Sequence, residues 1–171
     1  RDLRRVVEGT EGALALVRRA ALMPRCRFTV DRETGAMADY SQLQRLRTLN
    51  QILAAAAFVA AAEGRSQEAV DNLDAMIGTA GHIGVGPTLL LGPIIQYRCL
   101  SDFEISLRNL LSIGPLGEDG SARLERSLAA VDLYGPCEAA MKAEPALGRW
   151  FGVEGRRKPG QFICDLGSEG F

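Results

Sequence analysis

The chain has 171 residues, 47% of them hydrophobic and 24% charged, with a formal net charge of −1. That length corresponds to about one domain, and the near-zero charge argues against a dedicated nucleic-acid surface, which carries a strong basic excess. Aromatic residues make up only 6%, so the core must be built mainly from Ala, Leu, Val and Ile, which suits closely packed helices better than aromatic-rich strands.

The first residue is Arg1, not Met; this predicts a piece or a processed form of a longer chain, with any signal or anchor upstream. Thr10 to Leu22 reads as a helix: Thr10 is the expected N-cap, and Ala13, Leu14, Val17, Ala20 and Ala21 recur at helical spacing. Pro24 stops it. Residues 25–40 read as a loop, with Cys26 to Val30 extended and Phe28 anchoring it to the core.

The pattern is strongest from Leu43 to Ala80. A helix is expected from about Ser41 to Glu63, with Leu43, Leu46, Asn50, Leu53, Ala57 and Ala61 on one stripe. Leu49, Ile52, Ala56 and Val59 form a second stripe beside it. Two adjoining stripes predict a helix covered on more than one side. Gly64 supplies a left-handed residue to end it. Ser66 caps the next helix, with Glu68 in its first turn. Ala69, Val70, Leu73, Met76, Ile77 and Ala80 then repeat to near Gly81. So short a break predicts antiparallel neighbours.

The run His82 to Tyr97 is free of Asp, Glu, Lys and Arg but shorter than the about 20 apolar residues a membrane span needs, and no membrane insertion is expected from it. Pro87 suits the start of a helix reaching about Ile113, kinked at Gly92-Pro93. A rival break lies at Ser101 to Glu104, which has the spacing of a capping box. Gly114 to Gly120 reads as a loop. Ser121 opens a helix burying Leu124, Leu128 and Val131. Another runs from about Pro136 towards Phe151 through Ala139, Ala140, Ala143 and Leu147, kinked at Pro145. Residues 1–151 thus form one all-α domain, and 152–171, rich in Gly and charge, an irregular tail. Strand content should be near zero.

The Gly64 turn resembles a tetratricopeptide-type helical hairpin. Ala57 and Ala69, twelve residues apart, match the small residues of that motif, and Leu53, Ala60, Leu73 and Met76 stand where it has apolar side chains. Glu8-Gly9, Ala13, Val17, Ala20 and Pro24 echo its second half. The motif's characteristic aromatics are missing, and no third copy follows at its period of about 34 residues. The order of PRCRF, the Ala-rich helix, AEGRSQEAVDNLDAMIGTAGHIG and the LxAAVDL segment resembles an uncharacterised family of large bacterial proteins found in planctomycete-like genomes. The resemblance covers most of residues 10–150. It implies antiparallel helical hairpins in a tetratricopeptide-like or α-solenoid-like bundle and supplies no activity. An N-terminal membrane segment, common in that family, would place the domain outside the cytoplasm.

Residues capable of chemistry are scattered. His82 is the one histidine, expected just past a helix end. Cys26, Cys99, Cys137 and Cys164 show no CxxC and no metal-ligand spacing; small buried thiols or two disulfides are both open. Gly81, Gly84, Gly86 and Pro87 lack the strand-to-helix setting of a phosphate loop. The pairs Asp71/Asp74 and Asp102/Glu104 are expected on solvated faces or caps. Arg1, Arg4, Arg5, Arg18, Arg19, Arg25 and Arg27 crowd the start, a patch able to meet an acidic partner or an anionic membrane surface. An Arg-rich composition reflecting the genome accounts for it equally. No catalytic, cofactor-binding or metal-binding residue is assigned, and no cofactor is expected.

The expectation is a non-enzymatic module that presents a groove to a protein or peptide. The alternatives are a small-molecule-binding or enzymatic pocket around His82, and a structural piece of a cell-envelope protein. A unit deprived of an upstream neighbour should also expose an apolar edge near Leu14 and Val17.

Overall fold

Apolar residues at helical spacing need a common interior, and in the computed structural model six helices supply it. They are α1 (Leu3–Glu8), α2 (Glu11–Ala21), α3 (Ser41–Ala62), α4 (Ser66–Gly84), α5 (Leu91–Ile113) and α6 (Glu118–Ala129). A further helical segment, α7, covers residues 134–143. The structure describes residues 3–24, 26, 41–84, 90–143 and 145, and the described residues are all-helical, with no strand. The expected loop around Phe28, the Pro87 helix start, the end of the last helix and the 152–171 tail lie outside them.

The hairpin forms where Gly64 demanded it. Gly64 has φ +74°, a conformation only glycine adopts without steric cost. Its N–H donates to the Ala61 carbonyl at 3.0 Å, and the Arg65 N–H reaches the Ala60 carbonyl at 2.8 Å, which together satisfy two orphan carbonyls of the helix end. The chain then reverses. Ala57 and Ala60 near the end of α3 share one buried cluster with Ala69 and Val70 near the start of α4. Leu43 at the start of α3 shares another with Ala80 and Ile83 at the end of α4. That crossing-over of ends is an antiparallel pair.

Around the hairpin, α4 packs against α2, α3, α5 and α6, while α1 lies on α3. Both apolar stripes of α3 are in use: Leu53 and Ala57 are fully buried on the first, Ala56 on the second. The core is closed by Leu14, Phe103, Leu110 and Leu124.

Several boundaries differ from those expected, each for a local reason. The short helix α1 carries no buried residue and so left no apolar stripe. Thr10 stands at the N-cap of α2 as expected, but its side chain makes no capping bond; its hydroxyl turns back and donates to the Val6 and Val7 carbonyls at 2.9 and 3.1 Å. Leu14 is only 2% exposed, so it forms no open edge, whereas Ala13 and Ala20 face solvent and Val17 is half-buried. Ser66 is the first helical residue of α4, not its cap, and the Ala69 N–H donates to the Arg65 carbonyl at 3.1 Å. The helix also runs past Gly81 to Gly84.

α5 is one helix through Ser101 to Glu104, and Gly92-Pro93 stand in its first turn. There the missing proline N–H has no intrahelical acceptor to lose. α6 begins at Glu118, before the expected Ser121, and buries Gly120 and Leu124. Leu128 faces solvent instead, and Ser127 takes its place on the inner side.

Candidate functional site

Beside α4, between the ends of α2 and α6 and the start of α7, lies an open cleft of about 670 Å³. That volume falls within the range of about 300–1,000 Å³ typical of ligand sites. Its floor is one face of α4: Asp74, Ile77, Gly78, Gly81 and His82 fall at the three- and four-residue spacings that share a helix face. Leu22, Met23 and Pro24 wall it on one side, with Val131, Pro136 and Ala139 on the other.

The two floor glycines differ in purpose. A Cβ on Gly78 would stand 2.6 Å from the Ala21 carbonyl oxygen, so Gly78 is where α2 crosses α4. A Cβ on Gly81 would meet nothing within 4 Å. The fold does not need a glycine there, and the open floor does.

His82 stands in the last turn of α4, one turn inside the position expected, and is half-buried. Its Nε2 lies 3.0 Å from the Ala20 carbonyl oxygen. A carbonyl only accepts, so Nε2 is the donor in this bond. That bond ties the end of α2 to the end of α4.

Asp74 was expected on a solvated face. The structure corrects this: Asp74 is 8% exposed. Arg123 of α6 donates through Nε to Asp74 Oδ2 at 2.9 Å and through NH1 to Asp71 Oδ1 at 2.6 Å. The Ser127 hydroxyl donates to Asp74 Oδ1. Burial works against the Arg123 charge, and the carboxylates of Asp74 and Asp71 more than offset it, raising the guanidinium pKa. Nothing in the spacing of α4 pointed to Arg123, which lies 49 residues from Asp74 along the chain.

Asp132 was also missed. Its Oδ1 accepts the N–H groups of Tyr134 and Gly135 at 3.0 and 2.9 Å, an N-terminal cap for α7. A Cβ on Gly135 would collide with the Asp132 carboxylate, which would have to swing aside to make room. The Asp132 carbonyl accepts a bond at 3.0 Å from Nε2 of Gln96, a side chain 1% exposed within α5. The sequence Asp132-Leu133-Tyr134-Gly135-Pro136 held the signal, an Asp two residues before a helix start.

The other singled-out residues stand apart from the cleft or outside the description. Asp102 is nearly buried beside Arg47 and Arg98, at 3.8 and 3.7 Å, not on the solvated face expected. Glu104 is exposed and pairs with Arg108. Cys26, Cys99 and Cys137 are free thiols; Cys164 lies outside the described residues. Burial pushes the Cys99 thiol up to about 11, with the Asp102 charge adding and Arg47 opposing. Of the early arginines, Arg4 binds Glu63 at 2.5 Å and Arg18 approaches Glu68 at 3.6 Å, while Arg65 bridges Glu63 and Glu68. Part of the basic patch is therefore spent joining α1 and α2 to the hairpin turn.

Among the described residues no three His, Cys, Asp or Glu side chains are grouped to hold a metal ion, and no helix is long and apolar enough to cross a membrane. No protein-family model matches the chain, and comparison with curated proteins and with solved structures gives no match.

Proposed function

We propose that this chain is a non-enzymatic helical module, a divergent relative of the tetratricopeptide-type hairpin, that holds a protein or peptide segment in the cleft on α4. One observation carries the reading: the polar groups in the cleft are engaged in holding the fold. Both Asp74 oxygens accept bonds from Arg123 and Ser127, Asp132 caps α7, and Nε2 of His82 donates to the Ala20 carbonyl. What remains towards solvent is mainly apolar wall over a floor opened by Gly81. Such a surface binds by burial of apolar side chains, and the hydroxyl of Ser127 faces a carboxylate already held by Arg123 rather than a free base of the kind covalent chemistry uses.

The test is selection from a random peptide library against the purified chain and against Gly81→Leu, whose Cβ meets nothing within 4 Å and whose side chain occupies the cleft floor. Peptides that bind the parent chain and lose binding to the variant support the module. Failure to recover such peptides, alongside a metabolite that raises the melting temperature of the parent chain only, replaces it with a small-molecule site.

A further inference from the structure

The charge of the cleft says more about its occupant. Among the described residues lining it, the charged ones are Asp74 and Asp132, and neither Arg nor Lys is present. Asp74 is neutralised from behind by Arg123. Among the described residues no cation pairs with Asp132, whose Oδ1 accepts two backbone N–H groups.

The backbone points the same way. Residues 21–24, at the end of α2, and Ala130 and Val131, at the end of α6, line the cleft, and a helix C-terminus carries about half a negative charge. The opposing positive end, the start of α7, is met by Asp132 itself. The described lining of the cleft therefore lacks positive side chains to offset Asp132 over its apolar walls.

Its length is set by α4. A smaller hollow of about 190 Å³ shares Leu22 and Asp74 with the cleft and reaches Asp71, Arg18 and Arg123; both arginines are already paired, Arg123 with Asp71 and Asp74 and Arg18 with Glu68. From Asp71 to His82 the helix rises about 16 Å, the span of about five residues of extended chain.

We infer that the groove takes a short extended segment of a partner protein in which apolar side chains alternate with basic ones, the apolar side chains filling the space over Gly81 and a lysine or arginine meeting Asp132. This rests on the peptide-binding reading above and adds the sign of the partner's charge.

The experiment uses two fluorescent hexapeptides, one alternating leucine with lysine and one alternating leucine with glutamate, titrated into the parent chain, Asp132→Asn and Gly81→Leu. Asparagine is as good a cap as aspartate, so Asp132→Asn keeps the start of α7 while removing the charge; circular dichroism confirms the fold. The lysine peptide should bind more tightly, and Asp132→Asn should weaken it by about two- to fivefold, as expected for an exposed charge pair, and reduce its salt dependence. Gly81→Leu should abolish binding. Equal binding of both peptides, lost in Gly81→Leu, overturns the charge inference and leaves the module standing. Tighter binding of the glutamate peptide, or no change in Asp132→Asn, overturns it likewise. Binding by neither peptide, with no peptide recovered from the random library, overturns both.

Discussion

Gly78 and Ala21 meet backbone to side: a Cβ placed on Gly78 would sit 2.6 Å from the Ala21 carbonyl oxygen and 3.1 Å from its Cβ. No rotamer relieves a clash with a carbonyl, so α2 must move or α4 must bend. Gly78→Ala should therefore destabilise by about 1–3 kcal/mol, the usual cost of overpacking. Three residues on, Gly81→Ala places its methyl in open space and should stabilise by about 0.4–1 kcal/mol through the unfolded chain's lost freedom. Urea midpoints of the two variants should move in opposite directions.

Arg123 holds Asp74 in a nearly dry position. Arg123→Met leaves that carboxylate with the Ser127 hydroxyl alone and should destabilise by about 1–3 kcal/mol, below the full cost of a buried pair because the guanidinium is partly solvated. The double variant Arg123→Met with Asp74→Asn should recover part of the loss. A double-mutant cycle from denaturant unfolding measures the coupling; strict additivity would show that the pair contributes nothing.

The hairpin depends on small residues at its crossing. Ala57 and Ala69 are each 0% exposed, with no room for added methylenes. Ala57→Leu and Ala69→Leu should each cost about 1–3 kcal/mol, while Ala55→Leu, at a half-buried position of α3, should cost less. Thermal unfolding of the three variants checks the order.

Cys99 should resist alkylation at neutral pH in the native state and react once urea unfolds the chain, because its thiol is buried and its pKa lies near 11. The sign follows from linkage: a raised folded-state pKa favours the protonated thiol, so the contribution is fully present below the unfolded value near 9 and is lost as pH rises towards about 11. Cys99→Ala should remove that part of the alkaline decline, measured as urea midpoint against pH.

The helices were legible where an apolar stripe met a clear break. Gly64 marked the hairpin because its left-handed backbone and the motif ending one helix and starting the next are local properties. What escaped was non-local. Gly81 and Gly120 read as punctuation, yet Gly81 lies inside α4, and Gly120 lies inside α6, where a Cβ would come 2.9 Å from Val70 Cγ2. Their roles are set by a neighbour, or by the lack of one, fifty residues or more away or in space rather than in sequence. The same holds for Asp74, whose character was decided by an arginine on another helix, and for His82, placed outside the helix only because Gly81 was taken as its end. A pocket around His82 was among the alternatives, and His82 does line the cleft; its other walls come from chain segments far apart and were not legible in the spacing.

The central seat of α4 sets the order in which this chain comes apart. Enclosed by α2, α3, α5 and α6, its amides should exchange with solvent deuterium only when the whole assembly opens, while α1, with nothing buried, frays alone. The cleft joins this slow interior to two outer elements, α2 and α7. An occupant would pin the outer pair to the inner helix, and its arrival would register as slowed exchange at the periphery with the centre unchanged.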